Sequence, residues 1–147
     1  MAYLVDTNVL LRLVAEADPR HLQALSAIDV IEERDEPLFT SSQNFIELWN
    51  VATRPVDRNG LGQTPEVARR ILSTLEASFP RLGDSDRIYE IWRGLVVRFG
   101  VSGVKVHDTR LVAVMLAHDI RRLLTFDTKD FERFSELGIE AVSPTSL

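Results

Sequence analysis

Four acidic residues scattered along the chain are spaced so that a fold could bring them together. They are Asp6 in VDTNVLL, Glu47 in QNFIELWNVATRP, Asp108 in VHDTRLVA and Asp127 in LLTFDTKDF. Each also has an ordinary reading. Asp is a favoured helix N-cap, so Asp6, Asp108 and Asp127 can each simply open a helical segment, and Glu47 can be a solvated helix residue. Convergence changes the chemistry. Four carboxylates in one pocket repel one another and stay ionised only with a counter-charge. Hard divalent cations such as Mg²⁺ take oxygen ligands, typically a few carboxylates plus water and substrate phosphate. Such a site activates a water and neutralises a leaving oxygen, which is the chemistry of phosphodiester cleavage. Asp130 is a possible auxiliary ligand.

The elements that would position these acids follow from the apolar pattern. Tyr3–Val5 is a short apolar run ending at Asp6 and reads as a buried strand. Thr7 or Asn8 is placed to cap a helix through about Ala15. Asp18-Pro19 predicts a second helix to about Arg34. Pro37–Thr40 reads as a strand, and Ser41 or Ser42 caps a third helix to about Thr53. On that helix Gln43, Glu47, Asn50 and Arg54 form one polar stripe opposite an apolar side. The breaker-rich segment Arg54–Gln63 reads as a loop and a candidate mobile rim. Thr64-Pro65 starts a fourth helix, Phe79–Gly83 connects, and Ser85 or Asp86 opens a fifth that Gly100 ends. After a loop over Val101–Val106, Asp108 stands at a helix start. The run Leu111–Ala117 is apolar on every side and must be buried all round. Leu123–Phe126 and Ile139–Val142 complete the strands. Strands alternating with helices predict an α/β fold with a mostly parallel sheet, whose ligands gather at the carboxyl ends of the strands. Asp6 and Asp127 both sit at such ends.

Bulk properties bound the alternatives. A chain of 147 residues, 45% hydrophobic and 27% charged, is read as one domain, residues 1–147, with a real core. The absence of cysteine excludes a disulfide framework and thiolate metal sites, and suggests a cytoplasmic location. The N-terminus lacks the basic region of a signal peptide, and no apolar run approaches the ~20 residues that span a bilayer. A net charge of −5 argues against a general nucleic-acid coat protein but not against a nuclease. Arg54, Arg58 and Lys105, on predicted loops, are candidate phosphate contacts. The three histidines, His21, His107 and His118, lack paired ligand spacing; His107 reads as a loop residue or substrate contact. No G-x-S-x-G and no P-loop is present. D-T-N lacks the second Asp of a dehalogenase-type phosphatase, and the paired N-terminal acids of a phosphate-accepting receiver are missing.

The ordered set of Asp6, Glu47, Asp108 and Asp127 in these contexts resembles the PIN-domain family. It is most similar to the VapC-type toxins of toxin–antitoxin pairs, across essentially the whole chain. The resemblance implies a three-layer α/β/α sandwich and a Mg²⁺- or Mn²⁺-dependent endoribonuclease, with the four acids as catalytic and metal-holding cluster. Thr7, Asn8 and Thr125 would be its hydrogen-bonding neighbours. It also implies a homodimer and a cognate antitoxin protein that blocks the site. Family members often carry Gly after the long buried helix, where this chain has His118-Asp119. A PIN-like module that binds RNA or protein without cutting is the alternative function.

Overall fold

A computed structural model describes residues Met1–Leu147. Five strands form one parallel sheet: β1 (Tyr3–Val5), β2 (Leu38–Ser41), β3 (Arg81–Leu82), β4 (Arg122–Leu124) and β5 (Glu140–Val142). Their spatial order is β3-β2-β1-β4-β5. Leu4 lies opposite Phe39 on one side and Leu123 on the other. The order reverses between β1 and β4, so a switch point opens at their carboxyl ends, where α/β sheets bind ligands.

Side-chain alternation divides the core in two. Tyr3, Val5 and Leu124 point to one face, packing with helices α1 (Thr7–Val14), α2 (His21–Glu33), α3 (Ser42–Thr53) and α4 (Pro65–Ser78) through Leu10, Ile31, Leu48 and Leu75. Leu4 and Leu123 point to the other, against α5 (Asp86–Arg98), α6 (Lys105–Ala117) and the 3₁₀ segment Thr128–Leu137. Strands covered on both faces read as continuous apolar runs, as Tyr3–Val5 and the Leu123-Leu124 pair of β4 do. The resulting α/β/α sandwich is the expected fold class. In α6, Leu111–Met115 are all buried, held between the sheet, α5 and Phe131 and Phe134; an all-round apolar helix has that surrounding.

Several boundaries differ from the sequence reading. Helix α6 begins at Lys105, not Asp108, and its N-cap Val104 makes no side-chain cap bond. Asp108 therefore lies within the first turn and is no cap. The cap of α1 is Asp6, not Thr7 or Asn8. Asp18-Pro19 forms a turn, with Arg20 N–H donating to Asp18 Oδ1 at 2.8 Å, and α2 starts only at His21. Strand β4 ends at Leu124 rather than Phe126. The segment after α3 is tied down rather than free: the amides of Leu61, Gly62 and Gln63 donate to the carbonyls of Val51, Arg54 and Ala52 at 2.8–2.9 Å. A Cβ at Gly60 would lie 1.9 Å from the Arg54 carbonyl oxygen, so this fold-back requires glycine there. After α6, Asp119 adopts φ 55°, the left-handed conformation that glycine takes most easily and that Asp tolerates better than most residues.

Candidate active site

The carboxyl ends of β1 and β4 meet through side chains. The Asp6 amide donates to the Leu124 carbonyl at 2.9 Å, extending the parallel pairing one residue past the strands. Asp6 is 8% exposed. Its Oδ1 accepts from the Thr7 amide at 2.7 Å. Its Oδ2 accepts from Thr125 Oγ1 at 2.8 Å and from Asn8 Nδ2 at 3.3 Å. Thr125 is fully buried, and its hydroxyl also accepts from Asn8 Nδ2 and from the Asp127 amide, each at 3.0 Å. Asn8 closes the arrangement: its Nδ2 lies 3.0 Å from Asp127 Oδ2, and its Oδ1 accepts from the Phe126 amide at 3.1 Å. Thr7, Asn8 and Thr125 are thus committed to holding acids, which explains why Thr7 and Asn8 are not free to cap α1.

Helix α3 delivers Glu47 from the side. Its N-terminus is fixed by a capping box: Ser41 Oγ accepts from the Asn44 amide while Asn44 Oδ1 accepts from the Ser41 amide. Glu47 Oε2 accepts from Thr7 Oγ1 at 2.9 Å, and Thr7 Oγ1 accepts in turn from Asn44 Nδ2 at 3.3 Å. Glu47 Oε1 accepts from Gln43 Nε2 at 2.9 Å. Gln43 Nε2 also donates to the His107 carbonyl at 2.7 Å, and Gln43 Oε1 accepts from Arg110 Nη1 at 3.1 Å. One buried amide therefore joins α3 to α6. Sequence reasoning places Gln43 on the polar stripe without a role at the site, and picks out neither Asn44 nor Arg110. The recurrence of Gln43 one turn before Glu47 on the polar stripe was the available signal.

Asp108 is half-buried on the first turn of α6, with Lys105 Nζ at 3.8 Å; the same ammonium donates to Asp130 Oδ1 at 2.7 Å. Asp130 is thus drawn toward Asp108 by a shared cation, and the hydrogen bond to Asp130 raises the Lys105 pKa. Of the candidate phosphate contacts, Lys105 serves these two acids. Arg54 Nη2 donates to the Asn59 carbonyl at 3.0 Å, closing its own loop, and Arg58 is exposed in the 3₁₀ turn Val56–Arg58.

The electrostatics register the convergence. Burial pushes the Asp6 carboxyl up to about 7, against the lowering hydrogen bonds from Thr125 and Thr7, and the charges of Glu47 and Asp108 add to the rise. Asp108 is also raised, first by burial, then by Asp130, Glu47 and Asp127, with Lys105 opposing. Asp6 thus feels the charges of Glu47 and Asp108, and Asp108 those of Glu47 and Asp127. No three of the acidic or histidine side chains are grouped closely enough to cage an ion as they stand. The donor set is nevertheless all hard oxygen and carries more negative charge than its one local ammonium offsets. That set fits a divalent cation of the Mg²⁺ class.

The profile of the PIN domain family matches residues 3–137, a span that includes all four acids. The chain belongs to the PIN domain family. Solved structures similar to this PIN domain include VapBC2 from Rickettsia felis bound to a promoter DNA fragment, with a TM-score of 0.70, 15% identity, and 97% of this chain and 98% of that one covered. VapBC-1 from nontypeable Haemophilus influenzae has a TM-score of 0.67 at 19% identity, covering 99% of each chain. VapC20 of Mycobacterium tuberculosis, a Sarcin-Ricin loop cleaving toxin, has a TM-score of 0.61 at 20% identity, covering 93% and 95%. At these identities the likeness is one of fold. No curated protein matches the sequence. No helix of this PIN domain is long and apolar enough to cross a membrane.

Proposed function

We propose that this PIN domain is a divalent-metal-dependent endoribonuclease, the toxin of a type II toxin–antitoxin pair, working as one domain over residues 1–147. The observation that carries the reading is the union of Asp6 and Asp127 across the β1–β4 seam through Thr125 and Asn8, with Glu47 and Asp108 inside the same field. Mere helix caps need no such union, and neither Asp108 nor Asp127 makes a side-chain cap bond. The fold shared with VapBC proteins supports the toxin assignment.

In this reading Asp6, Asp108 and Asp127 hold Mg²⁺ or Mn²⁺, which when bound lowers the pKa of water and offsets charge on the leaving oxygen. Thr125 and Asn8 fix the two strand-end carboxylates before substrate arrives, so little ordering is left to the reactive step. Thr7 and Gln43 occupy both oxygens of Glu47 and set its plane, so that it helps hold the metal or aligns the attacking water. Asp6 must give up its proton to act as a ligand, so metal binding releases a proton near neutral pH. Attack of water at phosphorus leaves 5′-phosphate and 3′-hydroxyl ends. A cytoplasmic homodimer blocked by a small antitoxin completes the proposal. The exposed apolar side chains Leu22 and Leu25 on α2 suit such contacts, whereas Leu10 belongs to the core and Leu13 packs against it.

The test is cleavage of single-stranded and structured RNA with Mg²⁺, with Mn²⁺ and with EDTA. Metal-dependent cleavage yielding those ends is expected. Cleavage that persists in EDTA would overturn the mechanism, and RNA binding without cleavage at any metal would favour the non-cutting PIN-like module.

A further inference from the structure

Beside Glu47 the surface opens into two compartments that share a wall. The first, about 600 Å³, is lined by Ser42, Gln43, Ile46, Glu47, Asn50, His107 and Arg110. The second, about 420 Å³, continues past His107 and Arg110 to Ile88, Tyr89 and Trp92 of α5. Each falls in the range of ligand clefts, ~300–1,000 Å³. Tyr89 and Trp92 sit one turn apart with ring centroids at 5.7 Å and planes tilted by 35°. The indole is fixed, because Trp92 Nε1 donates to the Val106 carbonyl at 2.9 Å. Tyr89 is 61% exposed, a large aromatic face offered to solvent. Val106 and His107 directly precede Asp108, so the aromatic compartment is one residue step from the acid cluster along α6.

At the shared wall stands Arg110. Its Nη1 donates to Gln43, and its Nη2 lies 3.6 Å from Asp84 Oδ1, a partly exposed pair. Asp84 is itself held by the Ser42 hydroxyl at 2.7 and 2.8 Å. A guanidinium fixed on one edge and loosely paired on the other can exchange Asp84 for a phosphate oxygen. The order along the groove is therefore carboxylates, arginine, aromatic rings. Single-stranded nucleic acid is bound by that combination of cation and stacking platform.

We propose that this groove is a nucleotide subsite: an unpaired base flanking the scissile phosphate stacks on Tyr89 and Trp92 while Arg110 takes the intervening phosphate. The inference rests on the ribonuclease reading and narrows its substrate to RNA with at least one unstacked base beside the cut. A base held in a duplex cannot reach the rings.

The experiment reads binding apart from cleavage. Trp49→Phe leaves Trp92 as the sole indole of the two in the chain. That protein is titrated in EDTA and ~50 mM salt with an unstructured RNA decamer of A and C, with its duplex, and with a fully abasic decamer. Trp92 emission should be quenched by the decamer and not by the duplex or the abasic strand. Tyr89→Ala should weaken decamer binding by roughly five- to a hundredfold, as loss of one stacked base implies, and Tyr89→Phe should restore it. Quenching without metal-dependent cleavage would keep the subsite and remove the nuclease reading. Cleavage with unquenched Trp92, or with equal decamer affinity in Tyr89→Ala, would remove the subsite and keep the nuclease. Tyr89→Ala that loses a cognate antitoxin but keeps RNA affinity would make the groove a protein-docking face and overturn the inference.

Discussion

Asp6→Asn tests the acid cluster through stability rather than activity. The Asp6 carboxyl is raised from 3.8 to about 7, so the folded state binds its proton more tightly than the unfolded chain does. Stability from this group is complete below pH 3.8 and is lost as pH rises toward 7. The shift is about three units at 1.36 kcal/mol each, so the loss is ~4 kcal/mol when no metal is present. Asn removes the titration. It also places an amide NH₂ against Thr125 Oγ1, which already accepts from Asn8 and from the Asp127 amide; that mismatch costs ~1–2 kcal/mol. Near pH 7.5 in EDTA the variant should therefore be more stable than the parent by ~2–3 kcal/mol, roughly 6–9 °C in Tm for a chain of this size. Below pH 4 the order should reverse. Saturating Mg²⁺ or Mn²⁺ should raise the parent by ~2.7 kcal/mol at a hundredfold excess over Kd and leave the variant nearly unmoved. The assay is thermal melting of both proteins from pH 4 to 8, with EDTA and with metal. Taking the difference between the two proteins cancels the carboxylates remote from Asp6. Parallel stability curves, or equal metal shifts, would refute the reasoning that a buried Asp6 serves as part of an ion site.

Other outcomes follow from the same geometry. Asp108→Asn should abolish RNA cleavage while changing Tm by no more than a few degrees, since Asp108 is half-buried and caps nothing; full cleavage in a product-end assay would remove it from the site. Asp119→Gly should stabilise by ~0.5–1 kcal/mol by relieving φ 55°, because the exposed Asp119–Arg121 ion pair it loses is worth little; a drop in denaturation midpoint would contradict that. Leu22→Glu with Leu25→Glu should turn the proposed homodimer into a monomer by light scattering if α2 forms the interface, and an unchanged mass would place the interface elsewhere.

The parts of the fold legible in the sequence were those with local, one-dimensional signals. The YLV run, the Thr64-Pro65 helix start and the all-round apolar run of α6 each state their structure in adjacent residues. The start of α6 was not legible because Val104 is no capping type, so the eye moves to Asp108. The cap of α1 was misplaced for a tertiary reason: Thr7 and Asn8 are spent on Glu47, Thr125 and Asp127, leaving Asp6 to cap. The mobile rim at Arg54–Gln63 proved to be stapled to α3 by amides, and backbone bonds carry no residue signature. Of the four acids picked out by their order and setting, Asp6 and Asp127 are joined through Asn8 and Thr125. The Gln43–Arg110 link was not legible, because it joins residues 67 apart.

The sheet order β3-β2-β1-β4-β5 also has a temporal meaning. The strands on one side of the β1–β4 seam, β1, β2 and β3, are made before Asp108, β4 and Asp127. A chain still on the ribosome holds Asp6 and Glu47 on an unfinished sheet whose β1 edge has no neighbour. At ~5–20 residues per second, several seconds separate synthesis of Glu47 from that of Asp127. Chains stalled before β4 should leave RNA uncut, which a ribosome-bound cleavage assay can measure. The proposed nuclease therefore cannot cut RNA before Asp127 has been synthesised and β4 has paired with β1.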